Sequence, residues 1–251
     1  MDDPVVITAV ASGEVDTAEL WRAHAAGAEG RRDVNKWTHE LPERIAELAG
    51  RALAGAGADP AATGCVVGSV YGSGHVAETI RARLDAGARS SLAPESFVYF
   101  NAHGVTSLIC LRHGLGGHCA TILGPGAGLQ ALAAGRRGLR RAADAPVLCG
   151  AYEMLSPAAA RALGTEPVTG WAAFLVLETA ARARGRGARV LARLGPVETY
   201  APPGAPPADV RATAPLAALA AALTGDDAAA EVTVAAAGRR HGYRCTAHRE
   251  E

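Results

Sequence analysis

The sequence predicts a layered α/β fold, with helices packed on sheets, and three observations carry that expectation. Short apolar runs alternate with helical stretches along most of the chain. One stretch, His118–Arg141, reads as a buried strand at Ala120–Leu123, a tight turn at Gly124–Gly126 and then a helix. The chain has 251 residues, 49% of them hydrophobic, enough for one large or two small domains with a proper core.

The elements follow in order. Val5–Val10 is a short apolar strand. Asp16 or Thr17 can cap a helix running to about Ala26, with Glu19 close behind. Gly30–His39 is polar and reads as a loop. Pro42 opens a second helix to about Gly55, with Ile45, Leu48 and Leu53 on one side. Cys65–Tyr71 is a strand entering a glycine turn at 72–74, and His75–Ala86 is helical. Ser90–Glu95 reads as a loop, and Ser96–Gly114 as a mixed apolar stretch with a helix over about Asn101–Arg112. In the helix after the central turn, Leu129, Leu132 and Leu139 share a face, with Arg136, Arg137, Arg140 and Arg141 toward the end. Pro146–Ala151 is another buried strand. Ser156 caps a short helix to Leu163, with Pro157 at its first position. Gly170–Leu177 is a strand, Glu178–Arg184 a short helix and Ala188–Tyr200 a long strand. Ala201–Pro207 has the composition of a linker. Ala212–Leu223 is an alanine-rich helix, Glu231–Ala236 a strand, Gly238–Tyr243 a turn and Arg244–His248 a last short strand. The material after Tyr200 is too little for a second domain with its own core.

Lys+Arg and Asp+Glu number 25 each, so the formal net charge is zero. That balance speaks against nucleic acid or an anionic membrane as partner. It also leaves little charge to keep the chain apart from others, a hint of a permanent partner surface. No apolar run is long enough to span a bilayer, and the start, MDDPVVITAV, lacks the basic and apolar regions of a secretion signal. The expected location is the cytoplasm. The five cysteines, Cys65, Cys110, Cys119, Cys149 and Cys245, show no CxxC spacing and read as buried free thiols, not as a disulfide frame or zinc site. No metal and no cofactor is expected.

A strand that turns sharply into a buried helix is where many α/β enzymes hold a nucleophile, favoured there by the helix N-terminus. Gly124, Pro125, Gly126, Ala127 and Gly128 include no nucleophile, acid or base. GSG at 72–74 and GPGAG at 124–128 invite a nucleotide-binding reading. The latter lacks the last glycine of GxGxxG, because Leu129 stands there, and Pro125 removes a backbone donor that a phosphate would need.

Five segments carry a resemblance: VVGSVYGSG at 66–74, LRHGLGG at 111–117, GLQALAAGRRGLRRA at 128–142, VLCGAYE at 147–153 and GWAAFLVLETAARARGRGARVLARL at 170–194. In order and spacing they resemble the N-terminal half of the β-ketoacyl synthase branch of the thiolase-like fold. The resemblance covers roughly residues 4 to 200. TAPLAALAAAL at 213–223 and VTVAAAGRRHGYRCT at 232–246 look like that family's late helix and closing hairpin, and much of what lies between is absent. The resemblance implies a thiolase-like, layered αβαβα fold with a largely complete N-terminal half, 1–200. Residues 201–251 would be a strongly truncated remnant of the C-terminal half, packed on it as one structural unit.

Active ketosynthases carry an acyl-accepting cysteine at the central turn, where a helix N-terminus stabilises a thiolate. Aligned on Gly128 and Leu129, that position falls on Pro125, which cannot be acylated. The family's two catalytic histidines come from the C-terminal half. After Tyr200 this chain has only His241 and His248, and neither matches a catalytic motif. The resemblance therefore implies a chain with no catalytic residues of its own, similar to the chain-length factors of type II polyketide synthases. Those inactive homologues form obligate heterodimers with a ketosynthase and shape the tunnel into which the chain grows. They usually have glutamine where Pro125 stands. Severely shortened versions belong to synthases that make polyenes, and the setting is secondary metabolism of the antibiotic kind. The implied partners are a ketosynthase subunit, in a heterodimer or a higher-order assembly built on it, and an acyl carrier protein bearing an acyl or polyenoyl chain extended with malonyl units.

In that family the helix corresponding to Asn101–Arg112 lies at the dimer interface and lines the tunnel end. Asn101, Gly104 and Leu108 would face the tunnel, with Phe100 and Ser107 nearby, and the small residues Gly104 and Ser107 would leave room for a longer chain. The alternative for this face is ordinary core or interface packing. Cys110, Leu111, Cys119, Thr121 and Leu123 would lie at the subunit interface. His118 beside Cys119 suggests a nucleophile pair, but strand neighbours point to opposite faces. The run Arg136–Arg141 could meet an acidic acyl carrier protein or be a solvated helix end. Glu153 carries no assigned role. Two other functions stay open: a small stand-alone acyltransferase or hydrolase using Cys119 or Ser156, and a scaffold that stabilises a ketosynthase without touching substrate.

Overall fold

Strands covered on both faces read as near-continuous apolar runs, and those covered on one face alternate. Both kinds occur in this chain. The computed structural model describes residues 3–15, 33–87, 89–92, 95–141, 145–162, 170–201, 212–225, 229–237 and 241–250. The strands are β1 (Val5–Val15), β2 (Gly64–Ser69), β3 (Cys119–Leu123), β4 (Val147–Glu153), β5 (Gly170–Thr179), β6 (Ala192–Tyr200), β7 (Glu231–Ala237) and β8 (Gly242–Arg249). The helices are α1 (Asp33–Ala56), α2 (Gly74–Asp85), α3 (Glu95–Phe100), α4 (Gly104–His113), α5 (Ala127–Arg141), α6 (Pro157–Ala162), α7 (Ala180–Gly185) and α8 (Ala214–Thr224).

The strands join in one sheet of order β3-β2-β4-β5-β1-β6-β8-β7. β2 runs parallel to β3 and β4, and the other pairs are antiparallel. β2 and β4 are buried at every position, and β5 at every one but Trp171. One face of this part packs on α1 and α4, through Ile45, Leu48, Ala52 and Ile109 against Cys65, Val67, Leu148 and Phe174. The other packs on α5 and α8, through Leu129, Leu132, Leu216 and Leu219 against Val66, Cys149, Leu175 and Leu177.

β6, β8 and β7 differ. Their burial alternates along each strand, so only one face is covered. That face meets α5 and α8, which thus lie between two sections of the sheet. Only Val6 with Arg193 and Ile7 with Ala192 register across β1 and β6, so the sheet narrows to a short seam there. Helix, sheet, helix and sheet are stacked, in keeping with the layered α/β fold expected from the sequence.

Several elements depart from expectation. β1 continues to Val15, because the polar stretch after Val10 still pairs with β5, ending at Val15 opposite Gly170. Gly30–His39 is no loop where it is described: α1 begins at Asp33, and Pro42 lies inside it instead of opening it. The buried stripe of Ile45, Leu48, Ala49 and Ala52 anchors this helix, although Pro42 contributes no N–H. The helix expected over Asn101–Arg112 is α4, which starts at Gly104 and ends at His113; α3 is a separate short helix before it, with a corner between the two. There the Asn101 Oδ1 accepts the His103 N–H at 3.0 Å and its carbonyl accepts the Gly104 N–H at 2.8 Å, an Asx turn that halts α3. In the Ser90–Glu95 stretch, Arg89–Ser91 form a 3-10 turn and Glu95 already begins α3. Glu178 and Thr179 belong to β5, and the Thr179 hydroxyl caps α7 by accepting the Arg182 N–H at 3.3 Å. The long strand expected from Ala188 starts at Ala192, and Gly242 and Tyr243 are strand, not turn. The helix expected from Asp16 or Thr17 to Ala26 and the linker after Ala201 lie outside the described residues. No helix among the described residues is long and apolar enough to cross a membrane.

Candidate functional site

Three parallel strands, β3, β2 and β4, end on the same edge of the sheet, where α/β folds commonly place their sites. β3 leaves the ladder as the Gly124 N–H donates to the Ser69 carbonyl at 3.0 Å. The turn closes when the Ala127 N–H donates to the Gly124 carbonyl at 3.0 Å, and α5 begins. Gly126 has φ of 76°, in the left-handed region that favours glycine. Its bare Cα is also needed for packing, because a Cβ there would stand 2.5 Å from the Tyr243 ring of β8. At Gly128 a Cβ would stand 2.1 Å from the Ala212 carbonyl, just before α8. The late helix and last strand therefore press directly on the turn. Between the glycines sits Pro125, half-buried, its carbonyl held by the Gln130 side-chain amide at 3.1 Å. The ring of Pro125 has no group that can attack a carbonyl or carry a proton.

Glu153, at the end of β4, knots these pieces together. Its carboxylate accepts the Ser69 hydroxyl at 3.1 Å and the N–H groups of Val70 at 2.8 Å, Tyr71 at 3.1 Å and Ala212 at 3.3 Å. Burial pushes the carboxyl up to about 7, against the pull of those donors. The sequence held one signal for it, an acid closing an otherwise apolar strand. His75, at the start of α2, is 2% exposed, and burial lowers it to about 4 against a hydrogen bond with the Gly72 backbone. Ser156 is spent as a cap: its hydroxyl accepts the Ala159 N–H at 3.1 Å.

β3 forms one edge of the sheet, and a second cluster lines it. His103 Nδ1 and the Thr121 hydroxyl are 2.7 Å apart, as are the hydroxyls of Thr106 and Thr121. Cys119 lies 3.5 Å from His103 Nε2 and 3.2 Å from the Cys110 sulfur. The histidine that meets Cys119 is thus His103 of the α3–α4 corner, while His118 is exposed and contributes its carbonyl to Cys65 N–H at 2.8 Å. Sixteen residues separate His103 from Cys119, and no local pattern announces their meeting. Among the described residues, no group of three or more His, Cys, Asp and Glu is arranged to hold a metal ion.

The expected tunnel and interface residues fall on this same side. Phe100, 50% exposed, ends α3, and its carbonyl accepts the Ser73 hydroxyl at 2.7 Å. Asn101 is exposed at the corner; Ser107 and Leu108 are half-buried on α4. Gly104 is buried, and a Cβ there would stand 2.7 Å from the Val98 carbonyl, so its smallness serves the close approach of α3 and α4. Leu111, 82% exposed, and Leu123, 52% exposed, flank half-buried Cys110, Cys119 and Thr121. Phe97 and Val98 add further exposed apolar surface on α3. Elsewhere, the Arg136 guanidinium donates to the Leu194 carbonyl, while Arg137, Arg140 and Arg141 are exposed. His241 is exposed, and His248 on β8 lies 3.4 Å from Glu231 on the surface.

No protein-family model and no curated protein matches the chain. Solved structures do. One is a type II polyketide synthase acyl-carrier protein in complex with its ketosynthase bound to the hexaketide, at TM-score 0.73 and 15% identity, covering 99% of this chain and 100% of that one. Another is the ishigamide ketosynthase/chain length factor, at TM-score 0.64 and 18% identity, with the same coverage. A third is a β-ketoacyl synthase from Burkholderia phymatum STM815, at TM-score 0.58 and 19% identity, covering 80% of this chain and 65% of that one. At these identities the likeness is one of fold: the chain has the thiolase-like fold of ketosynthases.

Proposed function

We propose that the chain is a non-catalytic subunit of the chain-length-factor kind. It pairs with a ketosynthase and contributes tunnel wall for an acyl or polyenoyl chain carried on acyl carrier protein. The observation that carries the reading is Pro125 at the tip of the elbow, flanked by Tyr243, where a working ketosynthase needs a nucleophile. Two of the solved structures support it further. Each is matched over the full length of its chain by 99% of this one, so chains about this short exist in a ketosynthase complex and in a ketosynthase/chain length factor.

The partner face in this reading is the β3 edge. An edge strand offers unpaired N–H and C=O groups for another strand. Exposed Leu111, Leu123, Phe97, Val98 and Phe100 beside it supply apolar surface of the sort that marks a protein contact. Cys110, Cys119 and Thr121 lie within that face, and the α3–α4 corner, with Phe100, Asn101, Ser107 and Leu108, borders the tunnel end.

Co-expression with a type II ketosynthase tests this. The expected product is a one-to-one complex whose condensing activity is lost when the partner's cysteine is replaced and is unaffected by Pro125→Ala. A homodimer of this chain that elongates malonyl thioesters unaided overturns it. Leu108→Phe, away from the Gly104 contact, is expected to shorten the product while the complex stays intact. Unchanged product length refutes the tunnel assignment and leaves a scaffold.

A further inference from the structure

The three thiols beside β3 are brought together by register and packing. Cys65 and Cys119 are direct partners in the parallel β2–β3 pair, so both side chains stand on one face of the sheet. α4 crosses that face and sets Cys110 against them, hydrogen-bonded to Cys65 and with its sulfur 3.2 Å from Cys119. His103 Nε2, 3.5 Å from Cys119, completes the row.

We propose that Cys110 and Cys119 form an oxidisable dithiol, a modification site that a hydroperoxide closes to a disulfide. Cys65 and His103 assist from either end. The sulfurs need approach by only about 1.2 Å to reach bonding distance, near 2.05 Å. The site belongs to the unpaired chain: the partner face proposed above includes Cys110 and Cys119, so pairing would shield them from the hydroperoxide.

The chemistry follows from the contacts. A hydrogen bond from Cys65 favours the thiolate at Cys110, whereas burial opposes it; the net direction is downward, to about 6. Cys119 moves the other way, pushed up by burial and by the neighbouring sulfur. Cys110 is therefore the attacking thiolate. It takes the terminal oxygen of the hydroperoxide, becoming a sulfenic acid and releasing the alcohol, or water from hydrogen peroxide, once the leaving oxygen gains a proton. Cys119 then attacks the sulfenic sulfur. Its proton passes to His103 Nε2 and on to the departing hydroxide, which leaves as water. Two thiols lose two electrons and two protons, and the peroxide is reduced.

The tautomer required of His103 agrees with its surroundings. Nε2 must accept, so Nδ1 carries the proton and donates to the Thr121 oxygen, whose own hydroxyl then donates to Thr106. Of the other two cysteines, Cys149 is fully buried on the opposite face against Gly135 and Cys245 is buried in β8, so neither competes.

The test treats the folded full-length chain with a few equivalents of hydrogen peroxide and maps the peptides by mass spectrometry without reduction. The expected result is one intramolecular Cys110–Cys119 link, reversed by dithiothreitol, with alkylatable thiols falling from five to three. Cys110→Ser and Cys119→Ser each abolish the link. Cys65→Ala keeps it but slows its formation about tenfold, because the Cys110 thiolate loses its main donor. Five thiols remaining free, a link to Cys65 or between chains, or Cys110 over-oxidised to the sulfinic acid with Cys119 still reduced would each overturn the proposal.

Discussion

The two sections of the sheet are built from the same chain under different rules. The β2-β4-β5 section is covered on both faces, and nearly every residue is buried. The β6-β8-β7 section is covered on one face and alternates. In the first section a side chain is enclosed by two layers of helices. In the second it has a helix on one side and open surface on the other. The section joined to a complete sandwich thus sets stability, and the section with a bare face mainly completes the elbow through Tyr243 and the residues leading into α8.

Core truncation should separate the two most sharply. Phe174 of β5 is fully buried, and Phe174→Ala is expected to cost about 4 kcal/mol in urea unfolding, by lost burial plus an unfilled cavity. An effect below about 1 kcal/mol would mean that the two-faced section does not carry the stability assigned to it.

The junction gives the next effect, and it depends on pH. The carboxyl of Glu153 ties β2 and β4 to Ala212, and its folded value of about 7 lies above the ordinary 4.5. The folded form therefore holds a proton that the unfolded chain releases. The stabilising contribution is complete below about 4.5 and is lost as pH rises through about 7, on the order of 3 kcal/mol in all. Unfolding midpoints between pH 5 and 8 should fall with pH in the native chain and flatten in Glu153→Gln. A slope of equal size in the variant would assign the effect to another group.

The smallest effect belongs to the one-faced section. Val234 of β7 is 7% exposed and packs toward α8, and Val234→Ala should cost about 1.5 kcal/mol, two methyl groups' worth of burial. If it matched Phe174→Ala, the contrast between the sections would collapse.

Legibility in the sequence followed the same division. β2, β4 and β5 are continuous apolar runs, and the elbow is spelled out by Gly124 to Gly126, so both could be read directly. β1 was legible only to Val10, because Ser12, Gly13 and Glu14 look like a turn until β5 is there to pair with them. α1 was cut short because Pro42 and a polar flank imitate a helix start. Around the site, Pro125 was visible from its neighbours in the sequence. The His103–Cys119 contact, the lid of Tyr243 over Gly126 and the four donors on Glu153 join residues far apart in the chain, and each depends on how layers meet. Gly104 shows the limit from the other side: a small residue suggests space for a ligand, and the backbone of α3 fills that space.

The placement of β1 bears on how the molecule is made. Val5–Val15 leaves the ribosome well before its neighbours in the sheet, β5, which begins at Gly170, and β6, which begins at Ala192. Until β5 is made, the nascent polypeptide carries an apolar ribbon without its strand partners, a hazard for self-association that chaperones ordinarily meet. β8, made later still, supplies Tyr243 to the elbow, so the centre of the molecule sets only once that strand is out.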